Sequence, residues 1–180
     1  MPDFPGVSME NALSVLSTWD PRLSSLADAA IGTRASLASA VYTSASRAYY
    51  YPIEVNDFVT VTMMALFNGA TVSGNVDVGI YDVNGKRLVS AGSTAQAGAS
   101  TIQTFDVTDT ALEPGDYYLA MACDNITATF FCYKPNAQIM EAFGTWMQAT
   151  AIPLPATATF ATASSGFVPF LAALANGTVF

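Results

Sequence analysis

The stretch from Asn75 to Ser90, NVDVGIYDVNGKRLVS, restricts the fold more than any other part of the chain. Val76, Val78 and Ile80 alternate with Asn75, Asp77 and Gly79, the period-two pattern of a strand with one apolar face. Asn84-Gly85 follows, a dipeptide that accepts the positive φ angles of a tight hairpin turn. Leu88 and Ser90 continue the phase on the return strand, with Lys86 and Arg87 beside the turn. A β-hairpin is therefore expected here, within an all-β fold.

The flanking sequence repeats the theme. Ala48 to Val55 carries Tyr49, Tyr50 and Tyr51 and then Pro52, which confines a strand to an edge or a bulge. In Asp57 to Phe67, the residues Val59, Val61, Met63, Ala65 and Phe67 are expected to face one way and Thr60 and Thr62 the other. Thr101 to Val107 reads as a further strand. Pro114-Gly115 then sets a turn before the aromatic run Tyr117-Tyr118-Leu119. Asp124 to Thr127 suggests a two-residue hairpin loop, which would pair Cys123 with Ala128, Met121 with Phe130 and Leu119 with Cys132. On that register Leu119, Met121, Cys123, Ala128, Phe130 and Cys132 share a core face, while Tyr118, Phe131 and Tyr133 share the other. Ala156 to Ala161 is expected to form a short strand. About eight strands at this spacing predict a mainly-β, jelly-roll-like antiparallel sandwich.

Two regions break the pattern. From Asn136 to Gln148 the period changes: Ile139, Met140, Phe143, Trp146 and Met147 fall on one helical stripe, so a C-terminal helix over 136–149 is expected, stopped by Pro153 and Pro155. Residues 1–46 form an N-terminal arm with short helices, one capped by Ser8 and carrying Met9, Leu13 and Leu16, another starting at Asp20-Pro21. The sandwich then spans 47–163, and 164–180 is an apolar tail.

Composition bears on function. Of 180 residues, 52% are apolar and 11% charged, a balance that points to a membrane or to an assembly. A spanning helix needs about 18 consecutive apolar residues, and the run from Phe167 to Ala175 is shorter and contains Pro169. No basic segment followed by an apolar one opens the chain, so no secretory signal is expected. The net charge of −8, with six scattered cations, argues against a nucleic-acid partner. The chain has no histidine, which removes the commonest general base and metal ligand.

No catalytic, cofactor or metal site is expected. Asp77, Asp82, Asp106, Asp109, Asp116 and Asp124 sit at predicted strand ends, where calcium binds in some sandwiches, but solvated turn residues are the simpler reading. The two cysteines lie too far apart in the predicted register for a disulfide and read as buried thiols. The aromatics Tyr49, Tyr50, Tyr51, Tyr118, Phe131 and Tyr133 form a candidate ligand or interface set: they can stack on a glycan or pack between sheets or subunits. Phe4, Trp19, Phe167, Phe170, Leu171 and Phe180 form a candidate assembly set, because large apolar patches usually mark interfaces. A homotrimer contacting through these terminal segments is the expected assembly.

The runs AYYYPIEV, NGATVSGNVDVGIYDVNGKRLVSAGSTAQAGAS, LEPGDYYLAMACD and AIPLPATATFA, in that order over residues 47 to 163, resemble small β-sandwich virion proteins of tailed bacteriophages. The resemblance implies a non-enzymatic structural protein located in the virion, as a capsid decoration, neck or tail component, with itself and other virion proteins as partners. It carries no active site. Two of the runs also resemble jelly-roll modules that bind carbohydrate, so the alternative is a carbohydrate-binding adhesin or receptor-binding module with a glycan partner.

Overall fold

The computed structural model describes residues 15–17, 38–162 and 166–175. The chain in these parts is mainly β, with three antiparallel sheets. Its strands are β1 (Val15–Ser17), β2 (Ala38–Val41), β3 (Arg47–Val55), β4 (Val59–Phe67), β5 (Asn75–Asp82), β6 (Arg87–Ser90) and β7 (Thr94–Ala95). There follow β8 (Ile102–Leu112), β9 (Gly115–Cys123), β10 (Thr129–Tyr133), a single-turn helix α1 (Ala137–Ala142), β11 (Trp146–Gln148), β12 (Ala161–Thr162), β13 (Val168–Pro169) and β14 (Leu171–Ala175).

The large sheet has the order β12-β11-β3-β9-β5-β6, with β7 added on β5. A second sheet runs β1-β14-β4-β8 and a third β13-β10-β2. The last two share one pass of chain. At Phe170 the backbone N–H donates to Phe131 and the carbonyl accepts from Phe67, so residues 168–175 pass from β10 to β4 without leaving β geometry.

One apolar cluster joins all three sheets. Tyr49, Tyr51, Val78, Ile80, Leu119 and Met121 from the large sheet meet Val61, Met64, Phe105, Phe130, Cys132, Phe167 and Leu171 from the other two. Tyr42 stands edge-on to Tyr49, Phe130 and Phe167 with ring centroids 6.1, 5.8 and 5.0 Å away, a favoured aromatic geometry. Its hydroxyl donates to the Arg47 carbonyl at 2.6 Å, and that of Tyr51 to the Phe167 carbonyl at 2.6 Å, so both rings bury their polar atoms satisfied.

The expected hairpin at Asn75–Ser90 is present, with a correction in its phase. Gly85 takes φ +79°. Its N–H donates to the Asp82 carbonyl at 3.0 Å, and Asp82 Oδ1 accepts from the N–H groups of Asn84 and Lys86. A bulge follows, so Val89 comes opposite Ile80, and Arg87 opposite Tyr81. Val89 therefore shares the face of Ile80, and Leu88, the bulged residue, also packs against the main core as expected, whereas Ser90 turns to the outer face and reaches Asp77. A second bulge, in β4, does the same: Leu174 and Ala175 of β14 lie opposite Met63 and Val61, leaving Thr62 as the extra residue, so Val61, Met64 and Leu66 enter the main core, and Met63 and Ala65 turn to the opposite face.

The predicted hairpin between β9 and β10 does not form. β9 lies between β3 and β5, whereas β10 pairs with β2 and β13. The face assignment still holds, since Leu119, Met121, Cys123, Ala128, Phe130 and Cys132 all enter the main core. They do so from different sheets. Asn125 makes the change of sheet: its Oδ1 accepts from the N–H groups of Thr127 and Ala128 at 2.9 and 2.8 Å, and its Nδ2 donates to the Ser73 carbonyl. This side-chain turn redirects the backbone before a two-residue hairpin can close.

Other expectations are corrected as well. The helix stops at Ala142, where Gly144 adopts φ +67°. Trp146 and Met147 instead lie on β11, paired with Tyr50 and Tyr49. Within the expected Ser8 helix, Val15–Ser17 is a strand on β14, because the free edge of β14 satisfies its backbone. The remainder of both N-terminal helices lies outside the described residues. The expected 156–161 strand reduces to a bridge from Thr157 to Lys86, with β12 starting at Ala161. Pro52 sits in β3 where the Trp146 end of β11 has passed, so it removes no pairing donor on that side.

Candidate functional site: the strapped face of the large sheet

The face of the large sheet turned away from the main core is also covered. Ala48, Tyr50, Tyr81, Ala120 and Ala122 form a second buried cluster with Ala151 and Leu154, and Tyr118, Trp146, Ile152, Ala158 and Phe160 pack around it. The cover is residues 149–160, the proline-containing segment after β11. It is too rich in Pro and small residues to form a regular element, so it lies on the sheet as a strap.

Polar contacts fix the strap at each step. Asp77 is fully buried, although it sits on the face the sequence marked as polar. Its carboxylate accepts from Ser90 Oγ at 2.9 and 3.2 Å and from the Leu154 N–H at 2.8 Å. Ser90 Oγ in turn accepts from the Gly92 N–H at 3.0 Å. Arg87 Nη1 donates to the Leu154 carbonyl, and its backbone N–H donates to Ala156. The Tyr81 hydroxyl donates to the Pro155 carbonyl at 2.6 Å. Gln148 Oε1 accepts from both Tyr50 OH and the Thr159 N–H. Phe160 closes the far end, 5.1 Å from Tyr50 and 5.0 Å from Tyr118 between ring centroids.

The electrostatics agree with a clamp. Burial pushes the Asp77 carboxyl above its ordinary value, against the lowering effect of the Leu154 and Ser90 hydrogen bonds and of Arg87. Burial likewise raises Tyr50 to about 12. The Ser90–Asp77 pair has the atoms of a nucleophile and its acceptor, but the carboxylate is enclosed and Ser90 gives it its hydroxyl proton as a fixed hydrogen bond. The pair holds backbone in place.

The predicted ligand aromatics do not gather on one surface. Tyr49 and Tyr51 are in the main core, stacked 6.2 Å apart. Tyr50 is beneath the strap and Tyr118 at its rim. Phe131 packs on Phe67 with ring centroids 4.3 Å apart, and Tyr133 packs against the main core. Of the assembly set, Phe167 and Leu171 are fully buried in the chain's own core, so they offer no surface to a neighbour; Phe170 is half-buried beside Phe67. Phe4, Trp19 and Phe180 lie outside the described residues. The apolar tail is drawn inward because its continuous apolar run, buried on both faces, supplies the second sheet with an interior strand.

Cys123 and Cys132 are both free and buried, as expected, and burial raises each thiol to about 11. They are inert at neutral pH. Among the described residues no group of three or more His, Cys, Asp or Glu side chains is placed to hold a metal ion. None of their helices is long and apolar enough to cross a membrane.

A carboxamide network joins the loops after β4 and β7 to the start of β8. Gln96 Nε2 donates to Asn68 Oδ1 at 2.9 Å, and Asn68 Nδ2 donates to Ala97 O and Gln103 Oε1. Its members satisfy one another, so it too is a fastening.

Sequence reasoning missed Asp77, Arg87, Trp146 and Phe160 as partners. The signal available for them was a carboxylate in the middle of a strand beside a proline-rich segment without charges. No protein-family model matches the chain, and no curated protein or solved structure matches it.

Proposed function

We propose that this chain is a non-enzymatic structural protein of a tailed-phage virion, built as a jelly-roll-like β-sandwich. In this reading the large sheet is one layer, and the second and third sheets, joined through Phe170, are the other. One observation carries the proposal. The four runs on which the phage resemblance rests lie on β3, on β5 and β6, on β9 and on the strap, and these are spatial neighbours. Their polar residues, Asp77, Arg87 and Tyr81, are engaged in holding the strap to the sheet. The shared pattern therefore serves architecture rather than reaction chemistry.

The proposed partners are further copies of this chain, as a homotrimer, and other virion proteins. Self-association then uses surfaces other than Phe167 and Leu171. An antibody raised against the purified chain tests the proposal on density-gradient fractions of a phage lysate that produces it. Co-sedimentation with intact particles at a fixed copy number is expected. Recovery in the soluble fractions alone would refute the virion role, and a monomer mass by light scattering would refute the trimer.

A further inference from the structure

The strap buries Ala48, Tyr50, Tyr81, Ala120 and Ala122 of the outer face of the large sheet and leaves Glu54 and Asp116 exposed. At its rim, Phe160 of the strap and Tyr118 and Trp146 of the sheet remain half-buried as a ledge. Trp146 stacks on Phe160 with centroids 6.2 Å apart, and its Nε1 donates to Tyr118 OH at 3.1 Å across the intervening β3. Pro52 is the cross-strand partner of Tyr118.

One step further along the same face, Glu54 and Asp116 are direct cross-strand partners. The register between β3 and β9 is unbroken, and Ile53, Val55 and Tyr117 pack on the main core, so both carboxylates stand on the ledge side. Both are exposed. Like charges directly opposite each other on a sheet repel, and neither has an ion-pair partner among the described residues. The row of Glu54 and Asp116 is ~7 Å from that of Pro52 and Tyr118, the rise of two residues, a span that an extended arginine side chain covers.

We infer that this ledge docks arginine side chains of a partner protein, the stem and guanidinium lying along Tyr118 and the fork reaching the Glu54–Asp116 pair. The chemistry fits arginine specifically. Its planar group stacks on aromatic rings and binds carboxylates through two parallel N–H donors, whereas lysine offers a point charge. A neutral sugar would use the rings but leave the carboxylate repulsion in place. The net charge of −8 adds long-range attraction for a basic partner.

Titration calorimetry at low salt with a capped hexa-arginine peptide tests the site, using the full chain. The double variant Glu54→Gln/Asp116→Asn removes the pair at exposed positions. Asp106→Asn/Asp109→Asn, on the exposed side of β8, removes the same charge elsewhere. The first is expected to weaken binding ~tenfold or more and the second less than ~twofold, since diffuse attraction is shared but a docked contact is local. Wild-type protein is expected to prefer hexa-arginine to hexa-lysine, and Tyr118→Leu to abolish that preference. Equal losses in the two double variants, equal affinity for both peptides, or binding of maltohexaose in place of the peptide would each overturn the inference.

Discussion

The inner face of the large sheet meets side chains from both other sheets, and nearly every contact there is apolar. Its outer face meets a strap of irregular backbone, and there each turn of the strap is held by a named donor or acceptor, from Gln148 through Leu154 to Ala158. Both faces are buried, but for different reasons. The inner face is buried because strands of opposite sheets present alternating apolar residues to each other, a non-directional attraction. The outer face is buried because Asp77, Tyr81 and Arg87 satisfy backbone groups that the strap cannot pair within itself. A regular element supplies its own hydrogen bonds and needs only a hydrophobic partner. A strap without regular structure needs side chains from the surface it covers.

The sharpest way to break this comparison is to remove one large side chain from the inner layer. Phe130→Ala is expected to destabilise the fold by ~3–5 kcal/mol, the range for deleting a buried aromatic. Denaturant unfolding measures it, and a loss under ~1 kcal/mol would mean that Phe130 is not in the shared core. On the outer face the loss should be smaller and local. Asp77→Ala leaves the Leu154 N–H and Ser90 hydroxyl without their acceptor, at an expected ~1–3 kcal/mol. Proteolysis should then cut within 149–160 before it cuts any strand; simultaneous cutting everywhere would show that the strap is not a separate unit.

Asp77→Asn sharpens the electrostatic side of the comparison. A carboxyl whose value is raised on folding binds its proton more tightly in the folded state. The wild type should therefore gain stability relative to Asp77→Asn as pH falls from above the folded value of Asp77 towards its ordinary value. Parallel unfolding curves at neutral and mildly acidic pH measure the difference; a change of opposite sign would mean that ionised Asp77 is stabilised by its partners more than burial disfavours it. Tyr81→Phe, which removes the hydrogen bond to Pro155, should cost ~0.5–1.5 kcal/mol. The smallest effect belongs to the cysteines. Reductant should leave the melting temperature unchanged, because both thiols are free, and a measurable drop would reveal a disulfide.

Local signals were sufficient where the partner is near in sequence. Gly79, Ile80 and Tyr81 pair with a strand only a turn away, and Asp82, Asn84 and Gly85 fix that turn by contacts among themselves. The facing of Leu119, Met121, Phe130 and Cys132 was equally legible, since alternation depends only on the pleat. The bulges at Val61–Met63 and after Gly85 were not, because a one-residue insertion shifts the phase without altering the types of residue.

The sequence by itself determined the strand segments of β3 to β6 and β8 to β10, the apolar side of most of them, the hairpin at Asn84-Gly85 and the two buried thiols. Tertiary structure alone decided that β9 and β10 join different sheets and share one core, that the apolar tail becomes an interior strand, and that Asp77 is buried under a strap. The reason is physical. Alternation records which side of a strand avoids water, but it carries no record of what covers that side. That choice depends on which distant edges and faces remain unpaired once the nearer contacts have formed.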